Sequence, residues 1–500
     1  MMKVAISKVG KAKRAAQWPE AVDNIFVNND PLVTIETGKT MAKAWIKTIA
    51  QEQQKDYAQN FVLRIIEAYW EQMYVQANSK YPLPFLLKKM VSKKLDKSAL
   101  AVAEAIGTSA SRIEIIDACY LIGNIYTALL PAGLRSSDGI FYTPPCLSNR
   151  LIYLAESNGV DWKNATVLDP ACGNGAFLLP IGLKIKSVLK GCTSERILEH
   201  IETHLHGFEI DAFAGWMCQV FIEVGLKSIL IQCSRRIKPL VKICSALDEK
   251  VCDYSSGFDL VIGNPPYGKL KLTEAIRFRF GASLYGHANL YGIFTQLAIE
   301  LTATGGTIAY LTPTSFLSGE YFKKLRHFIR SQSTPTDFDF VSVRKGVFED
   351  VLQETVMAVY KNGLSNCNEV YVNQVTTSTG GYCKVETSGK FELPEDLSEP
   401  WILPRLPTQA GAVRAMRGLN FRLSDWGYRV STGPLVWNRH KGQLKEKSGQ
   451  NCFPLVWSES VLQNGSFKLK AEKANHLPYF KFKKGDDWLV TRQTCILLQR

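Results

Sequence analysis

The sequence lacks the cysteine pairs, the zinc-type Cys/His clusters and the uninterrupted apolar runs that mark several classes of protein. Its 12 cysteines are scattered and include no CxxC pair. The N-terminus has no signal-peptide pattern, so the cysteines are predicted to be reduced thiols of a cytoplasmic protein. The longest charge-free runs, at 118–134, 280–299 and 301–319, are each interrupted by polar residues or proline. These absences argue against secreted, membrane-spanning and zinc-binding proteins, and no metal is expected.

Basic residues exceed acidic residues, and the excess is concentrated near the C-terminus. The chain has 60 Lys and Arg against 46 Asp and Glu, which gives a formal net charge of +14. Residues 401–500 alone hold 17 Lys and Arg but only 6 Asp and Glu. A general need for solubility would not concentrate charge in this way. The distribution therefore predicts a polyanionic partner, nucleic acid above all.

The pattern of apolar, polar and charged residues divides the chain into four parts. Apolar residues at three- and four-residue steps predict a helical N-terminal region at 1–135, which opens with a basic arm at 3–14. Over 136–360, near-continuous apolar strands alternate with helix-length segments and predict an α/β domain with a doubly wound, mostly parallel sheet. Residues 361–400 are predicted to be a connection, and 401–500 a basic C-terminal module.

A glycine turn follows the first predicted strand. Its sequence at 169–177 is Asp-Pro-Ala-Cys-Gly-Asn-Gly-Ala-Phe, and a helix follows it. Glycines there let the backbone approach a ligand closely, and the helix N-terminus favours a negative group. The third glycine of a dinucleotide-binding GxGxxG is missing, because Leu178 stands in its place. The turn therefore predicts a ligand site at the carboxyl edge of the sheet.

The sequence Asn264-Pro265-Pro266-Tyr267 stands at the end of another predicted strand. Proline has no N–H to donate, so the Asn264 side-chain oxygen and the Pro265 carbonyl can both face outward as acceptors. Two acceptors suit an exocyclic amine, and Tyr267 offers an aromatic face on which a flat base can stack. These four residues are the predicted catalytic motif.

Together the two motifs, the second beginning 95 residues after Asp169, resemble those of the gamma class of adenine-N6 DNA methyltransferases of restriction-modification systems. The resemblance covers 136–360 closely. It implies a seven-stranded sheet that binds S-adenosylmethionine (AdoMet), a helical N-terminal lobe and a C-terminal target-recognition module. It also implies methylation of adenine N6 in double-stranded DNA of the prokaryotic cytosol or nucleoid. The cognate restriction endonuclease would then be a functional rather than a physical partner.

The resemblance also assigns roles to single residues. Glu209 takes the acidic position that binds the ribose hydroxyls of the cofactor, and either Ser245 or Asp248 takes the position that binds its adenine. Phe348 takes the position that flanks the target base. The implied cofactor-binding residues are Thr143, Asp169, Ala171, Gly173, Gly175, Phe177, Glu209, Ser245 and Asp248. The candidate DNA contacts in the C-terminal module are Arg439, Lys441 and Lys445.

Other functions stay open at this point. Similar Asn-Pro-Pro-Tyr turns serve enzymes that methylate a protein glutamine or an RNA guanine amine, although the basic segment 401–500 argues against both. A DNA-binding subunit with little activity is a third alternative, against which the intact catalytic motif argues. The sequence has no convincing PD-(D/E)xK nuclease pattern. Residues 489–500 resemble a strand pair without the segment that follows in related enzymes, which leaves open whether the chain is truncated.

Overall fold

The computed structural model describes residues 30–75, 81–84, 93–131, 133–134, 142–248, 257–268, 273–286, 289–342, 354–365, 367–377, 383–431, 433–462, 464–473 and 475–497. Phe348 and the basic arm at 3–14 lie outside these residues, and the predictions for them stay predictions. The chain forms two compact units that divide between Met416 and Arg417, somewhat later than the predicted boundary at residue 401.

Helices make up the N-terminal layer of the first unit. They are α1 (Pro31–Ile46), α2 (Gln54–Val75), α3 (Lys97–Ala110) and α4 (Ile115–Leu129). Asp96 begins α3 by accepting the N–H of Ala99 at 2.8 Å, which satisfies one of the unpaired donors of a helix start. Gly107 lets α3 approach α2 closely, because a Cβ at this position would lie 2.2 Å from the carbonyl oxygen of Ile65. The predicted helical lobe is therefore confirmed.

The central sheet of the first unit has nine strands among the described residues. They are β1 (Val167–Asp169), β2 (Leu205–Glu209), β3 (Val241–Ile243), β4 (Phe258–Gly263), β5 (Thr302–Pro313), β6 (Ser333–Ser342), β7 (Thr355–Asn362), β8 (Glu369–Thr377) and β9 (Cys383–Glu392). Their order is β3-β2-β1-β4-β5-β7-β6-β8-β9. β7 runs antiparallel to β5 and β6, β9 runs antiparallel to β8, and the other pairs are parallel. The predicted α/β fold with a mostly parallel sheet is confirmed.

The sheet is larger than predicted, because residues 361–400 are more than a connection. β8 and β9 lie in this segment, where β8 pairs with β6 and β9 pairs with β8. Seven predicted strands thus become nine. The side chains of β9 are mostly exposed, so this edge strand lacks the continuous apolar run that identified the central strands. Polar edge strands of this kind are easily taken for a loop.

Helices cover the sheet and connect its strands. They are α5 (Pro145–Ser157), α6 (Leu178–Val188), α7 (Ser194–His204), α8 (Ala212–Gly225), α9 (Lys227–Cys233), α10 (Glu274–Arg279), α11 (Leu290–Leu301), α12 (Ser315–Ser318), α13 (Lys323–Gln332) and α14 (Ala410–Arg417). Among the described residues no single helix is long and apolar enough to cross a membrane. Helices α8 and α9 reach the length and apolar character of a membrane span only when they are counted together, and they are bent by 75° at their junction.

Helix α8 is buried on two opposite sides. Phe213, Met217 and Phe221 pack in one hydrophobic core with the N-terminal helices. Cys218 and Ile222 pack in a second core with β1 and the helices around it. A helix that is apolar around its circumference is typical of such a fully buried position. The N-terminal layer and the sheet are therefore joined through α8.

The second unit, residues 417–500, is built from short elements. Its strands are β10 (Leu444–Lys445), β11 (Cys452–Pro454) and β12 (Tyr479–Lys481), which form an antiparallel sheet in the order β10-β12-β11. The buried Trp457 ring stacks on His476 with 3.7 Å between centroids. Most other described residues of this unit are at least partly exposed.

Gly107→Ala is expected to destabilise the first unit. The added methyl group would lie 2.2 Å from the carbonyl oxygen of Ile65 and 2.8 Å from the Cβ of Ala68. Helices α2 and α3 would have to move apart, which lowers the free energy of unfolding by about 1–3 kcal/mol. Gly411→Ala in α14 is the control, because nothing lies within 4 Å of its Cβ position. Urea unfolding measures both variants, and an unchanged midpoint for Gly107→Ala would contradict this packing.

Candidate cofactor and catalytic site

Three neighbouring strands bring the two sequence motifs to one edge of the sheet. β1 lies between β2 and β4, and the three strands run in the same direction. Asp169 and Glu209 end their strands, and Asn264 directly follows the third. Because parallel strands end at the same edge, the glycine turn, the acidic position and the catalytic motif lie together there. This is the edge at which doubly wound folds bind ligands.

The Glu209 carboxylate holds the glycine turn. Its Oε2 accepts the N–H of Gly173 at 2.8 Å, and its Oε1 accepts the N–H of Asp211 at 2.8 Å. Gly173 and Gly175 have φ angles of +54° and +98°, which favour glycine over other residues. Each carboxylate oxygen keeps further capacity to accept a hydrogen bond. Glu209 can therefore hold the turn and still accept hydroxyl groups.

The wall behind the glycine turn contains Tyr142 and Asn174, neither of which was among the predicted cofactor-binding residues. A Cβ at Gly173 would lie 2.8 Å from the ring of Tyr142. The side chain of Asn174 is buried and donates to the carbonyl oxygen of Cys119 in α4 at 2.7 Å. The Tyr142 hydroxyl is buried and has no hydrogen-bond partner among the described residues. Tyr142 belongs to the segment 139–145, which resembles the same methyltransferase family, but the sequence did not indicate that its ring packs against the glycine turn.

Asp169 lies beneath the glycine turn. Its Oδ1 accepts the N–H of Ala171 at 3.1 Å, and a Cβ at Gly263 would lie 2.8 Å from the same oxygen. Burial, with a smaller contribution from Glu209, raises the pKa of Asp169 to about 8. Burial also raises the pKa of Glu209. Phe177, another predicted cofactor residue, is buried in the hydrophobic core.

The Asn264 carboxamide is held at both ends. Its Nδ2 donates to Thr143 Oγ1 at 3.1 Å, and its Oδ1 accepts the Tyr267 hydroxyl at 2.6 Å. The same hydroxyl lies 3.1 Å from the carbonyl oxygen of Leu311 in β5. This network assigns the oxygen and nitrogen ends of the amide. The Asn264 oxygen keeps a second lone pair, which an amine hydrogen can use.

Tyr267 and Thr143 have contacts that the sequence did not predict. The Tyr267 ring meets the Tyr291 ring edge-on at 6.3 Å between centroids, and its hydroxyl is engaged with Asn264. Burial raises the pKa of Tyr267, so the hydroxyl stays a donor. Thr143, predicted to bind the cofactor, contacts the catalytic motif. Pro265 is buried and Pro266 half-buried in the same turn.

The two candidates for binding the cofactor adenine lie on one turn after β3. Ser245 Oγ accepts the N–H of Leu247 at 3.2 Å, and the Ser245 carbonyl accepts the N–H of Asp248 at 3.2 Å. Ser245 is half-buried and Asp248 is exposed. The turn begins beside Glu209, whose carbonyl accepts the N–H of Cys244 at 3.0 Å. Both candidates are therefore close in the chain to the β2 edge of the site.

The candidate DNA contacts lie in the second unit. Arg439, Lys441 and Lys445 are all exposed. The Lys441 Nζ lies 5.9 Å from the centroid of the Trp437 ring, and Lys445 belongs to β10. These three cations within seven residues could contact a run of phosphates, which stays a prediction.

Asp169→Asn is expected to change how stability depends on pH. Folding raises the pKa of Asp169 from 3.8 to about 8, so the folded chain binds this proton more tightly. The contribution of Asp169 to the free energy of unfolding therefore falls as the pH rises from about 4 to about 8. Asparagine does not titrate, and the variant should gain stability relative to the parent chain across this range. Urea unfolding without ligand at several pH values measures the difference, and a constant difference would contradict a buried Asp169.

Comparison with known proteins identifies the central segment. Residues 215–348 match the family described as Eco57I restriction-modification methylase. The Type II methyltransferase M.BsuBI of Bacillus subtilis is 24% identical over 378 residues, which cover 73% of this chain and 72% of the relative. The Type II methyltransferase M.PstI of Providencia stuartii is 28% identical over 371 residues, which cover 69% and 67%. The cryo-EM structure of a DrdV–DNA complex aligns with 77% of this chain and 46% of its own chain, at 15% identity and a TM-score of 0.49.

The family match contains the catalytic motif but begins after the glycine turn. It includes Asn264–Tyr267 and the strands β4 to β6, which form one side of the site. The glycine turn lies on the other side, at the ends of the adjacent strands β1 and β2. Residues 215–348 therefore carry an Eco57I restriction-modification methylase domain, and the chain is a methyltransferase of restriction-modification type.

Proposed function

We propose that this methyltransferase transfers the methyl group of AdoMet to the N6 amine of adenine in double-stranded DNA. The observation that carries the proposal is the Asn264 carboxamide, which Tyr267 and Thr143 hold beside the glycine turn. Methylation would protect the DNA of the host from a cognate endonuclease that is a separate chain. The base pair that contains the adenine would have to open, because N6 is inaccessible to an enzyme inside the duplex.

The residues around the glycine turn fit AdoMet. A side chain at Gly173 or Gly175 would collide with its neighbours, so the turn stays bare and its backbone can approach a ligand. Glu209 offers two oxygens with unused acceptor capacity, which suit two adjacent ribose hydroxyls. These three residues, with Ser245 or Asp248, would hold the cofactor. When bound, AdoMet supplies an electrophilic methyl group.

Asn264 would position the target amine. The lone pair of adenine N6 is delocalised into the ring, so the amine is a weak nucleophile. The Asn264 oxygen and the Pro265 carbonyl oxygen would accept the two amine hydrogens, which favours a pyramidal nitrogen with its lone pair free to react. No strong base is needed before the transfer, because the amine would release its surplus proton to water only after the N6–CH3 bond has formed and the S–CH3 bond has broken. Orientation and fixed dipoles supply the acceleration.

Tyr267 and Thr143 would act through Asn264. The amide cannot turn without losing both the bond from the Tyr267 hydroxyl and the bond to Thr143 Oγ1. A group that is already oriented does not have to be ordered when the substrate arrives. The free-energy cost of ordering it therefore does not add to the reaction barrier. Tyr267 is therefore a positioning residue in this proposal, in addition to any contact that its ring makes with the base.

The reaction is tested by incubating the protein with AdoMet and duplex DNA and analysing the nucleosides by mass spectrometry. N6-methyladenine is the expected product. Asn264→Ala should lower kcat about 100- to 1000-fold, as the loss of one preorganised polar group does in comparable sites. Tyr267→Phe should lower kcat about tenfold, which is the effect of one hydrogen bond. The Kd of AdoMet should change little in either variant, because the glycine turn and Glu209 are intact.

Tyr291→Phe is the matched control for Tyr267→Phe. The Tyr291 ring lies beside Tyr267, but its hydroxyl is 2.8 Å from Ser315 Oγ and not bonded to Asn264. Its kcat should stay close to that of the parent enzyme. A methylated cytosine, protein or RNA as the sole product would contradict the adenine assignment. An unchanged kcat for Tyr267→Phe would remove the positioning role alone.

Simultaneous replacement of Arg439, Lys441 and Lys445 by alanine is expected to weaken duplex binding and flatten its salt dependence. Each lost phosphate contact reduces the slope of log affinity against log salt by about 0.9, so three contacts reduce it by about 2.7. Fluorescence anisotropy with a labelled duplex across a series of salt concentrations measures both quantities.

The matched control for this triple variant replaces Lys163, Lys190 and Arg196 with alanine. These residues are also exposed, and their loss removes the same charge and the same residue types. Lys163 precedes β1, Lys190 lies between α6 and α7, and Arg196 lies in the first turn of α7. All three belong to the first unit. Equal slopes for the two triple variants would place the phosphate contacts elsewhere in the chain.

A further inference from the structure

A turn in the second unit presents aromatic side chains to solvent. Within residues 421–429, here called the aromatic turn, the side chains of Phe421, Trp426 and Tyr428 are 64%, 65% and 53% exposed. Aromatic residues are usually covered to a much greater extent. The rings of Phe421 and Trp426 lie nearly parallel, with 21° between their planes and 6.4 Å between their centroids. Two nearly parallel rings are therefore largely exposed next to each other.

Backbone hydrogen bonds give the aromatic turn its shape. The N–H of Tyr428 donates to the carbonyl of Leu423 at 2.9 Å, and the N–H of Gly427 donates to the carbonyl of Ser424 at 3.0 Å. Gly427 has a φ of +76°. This pair of bonds around a left-handed glycine is a Schellman motif, which closes a helical turn. The turn is therefore ordered locally, without burial of its rings.

Arginines flank the exposed rings. Arg422 and Arg429 are both exposed. Asp425 is the one acid in the aromatic turn, and its carboxylate accepts the backbone N–H of Arg422 at 2.6 Å. A guanidinium group binds phosphate in a planar, two-pronged geometry and also stacks on flat rings. A partner that carries both phosphates and flat rings would satisfy the arginines and the aromatic faces together.

We propose that the aromatic turn is a nucleic-acid-binding surface, in which its two arginines contact phosphates and the rings of Phe421 and Trp426 stack on unpaired bases. The charge of the segment matches a polyanion, and exposed aromatic rings beside basic groups are the means by which proteins hold unstacked strands. The inference rests on the proposed function, which makes DNA the substrate and requires a base to leave its stack. The surface is separate in sequence from the candidate DNA contacts Arg439, Lys441 and Lys445.

The test measures binding of the full-length protein to a labelled thymidine single strand and to a labelled duplex of equal length, across a salt series. Trp426→Ala should weaken single-strand binding about tenfold or more, as alanine replacement of a stacking ring does. The salt slope should stay unchanged, because no phosphate contact is lost. Trp426→Phe keeps a ring and should recover most of the affinity. Circular dichroism and thermal unfolding establish that each variant is folded.

Trp488→Ala is the matched control. Trp488 belongs to the same unit and is 63% exposed, but it follows the two acids Asp486 and Asp487. Its single-strand affinity should equal that of the parent protein. Equal affinities of Trp426→Ala and Trp488→Ala would overturn the proposal. Unchanged nucleic-acid binding by Trp426→Ala with an altered sedimentation coefficient would also overturn it, by marking a protein interface.

The same measurements separate this proposal from the proposed function. If the parent protein methylates adenine in DNA while Trp426→Ala binds single strands as tightly as the parent, only the role of the aromatic turn fails. If the parent protein binds neither the duplex nor the single strand, DNA is not its substrate. The proposed role of the aromatic turn is then also wrong. If the parent protein methylates adenine in DNA and Trp426→Ala alone loses single-strand affinity by tenfold, the result supports both the proposed function and the role of the aromatic turn.

Discussion

The Glu209 carboxylate is the contact on which the geometry of the site depends. One of its oxygens holds the N–H of Gly173 and the other holds the N–H of Asp211. Asp211 in turn accepts the N–H of Phe213 at 3.1 Å and so begins α8. A carboxylate withdrawn from water needs such donors, because an unpaired buried charge is very unfavourable. One side chain therefore joins the glycine turn to the strand and to the helix that follows it.

The two halves of the site are joined by close packing at the strand ends. Asp169 and Gly263 are in contact across β1 and β4, with no room for a side chain at residue 263. Asn264 follows immediately, so the position of the carboxamide depends on the carboxyl group beneath the glycine turn. The bonds to Tyr267 and Thr143 then leave one orientation for the amide. The glycine turn and the Asn-Pro-Pro-Tyr turn are thus parts of one packed structure.

The sequence was sufficient for the central strands and for the local motifs, because both are encoded by short patterns. The apolar run Phe258–Gly263 and the Asn-Pro-Pro-Tyr turn are continuous in the chain, and the structure has them at the same place. Strand β9 was not predicted from the sequence because its exposed side chains interrupt the apolar pattern. The hydrogen bond between Thr143 and Asn264 was not predicted because it joins residues 121 positions apart in the sequence. Such contacts are set by tertiary packing, which a local pattern does not contain.

The burial of α8 between two cores also limits how such a chain can exchange parts with its relatives. A genetic crossover between the N-terminal helices and the sheet would pair a new helical layer with an old α8, and their apolar side chains would no longer fit. A crossover near the division at Met416 and Arg417 falls between two compact units, each with its own internal contacts. Recombination could therefore replace the basic unit as a cassette and keep the catalytic machinery, whereas the helical layer and the sheet have to be inherited together.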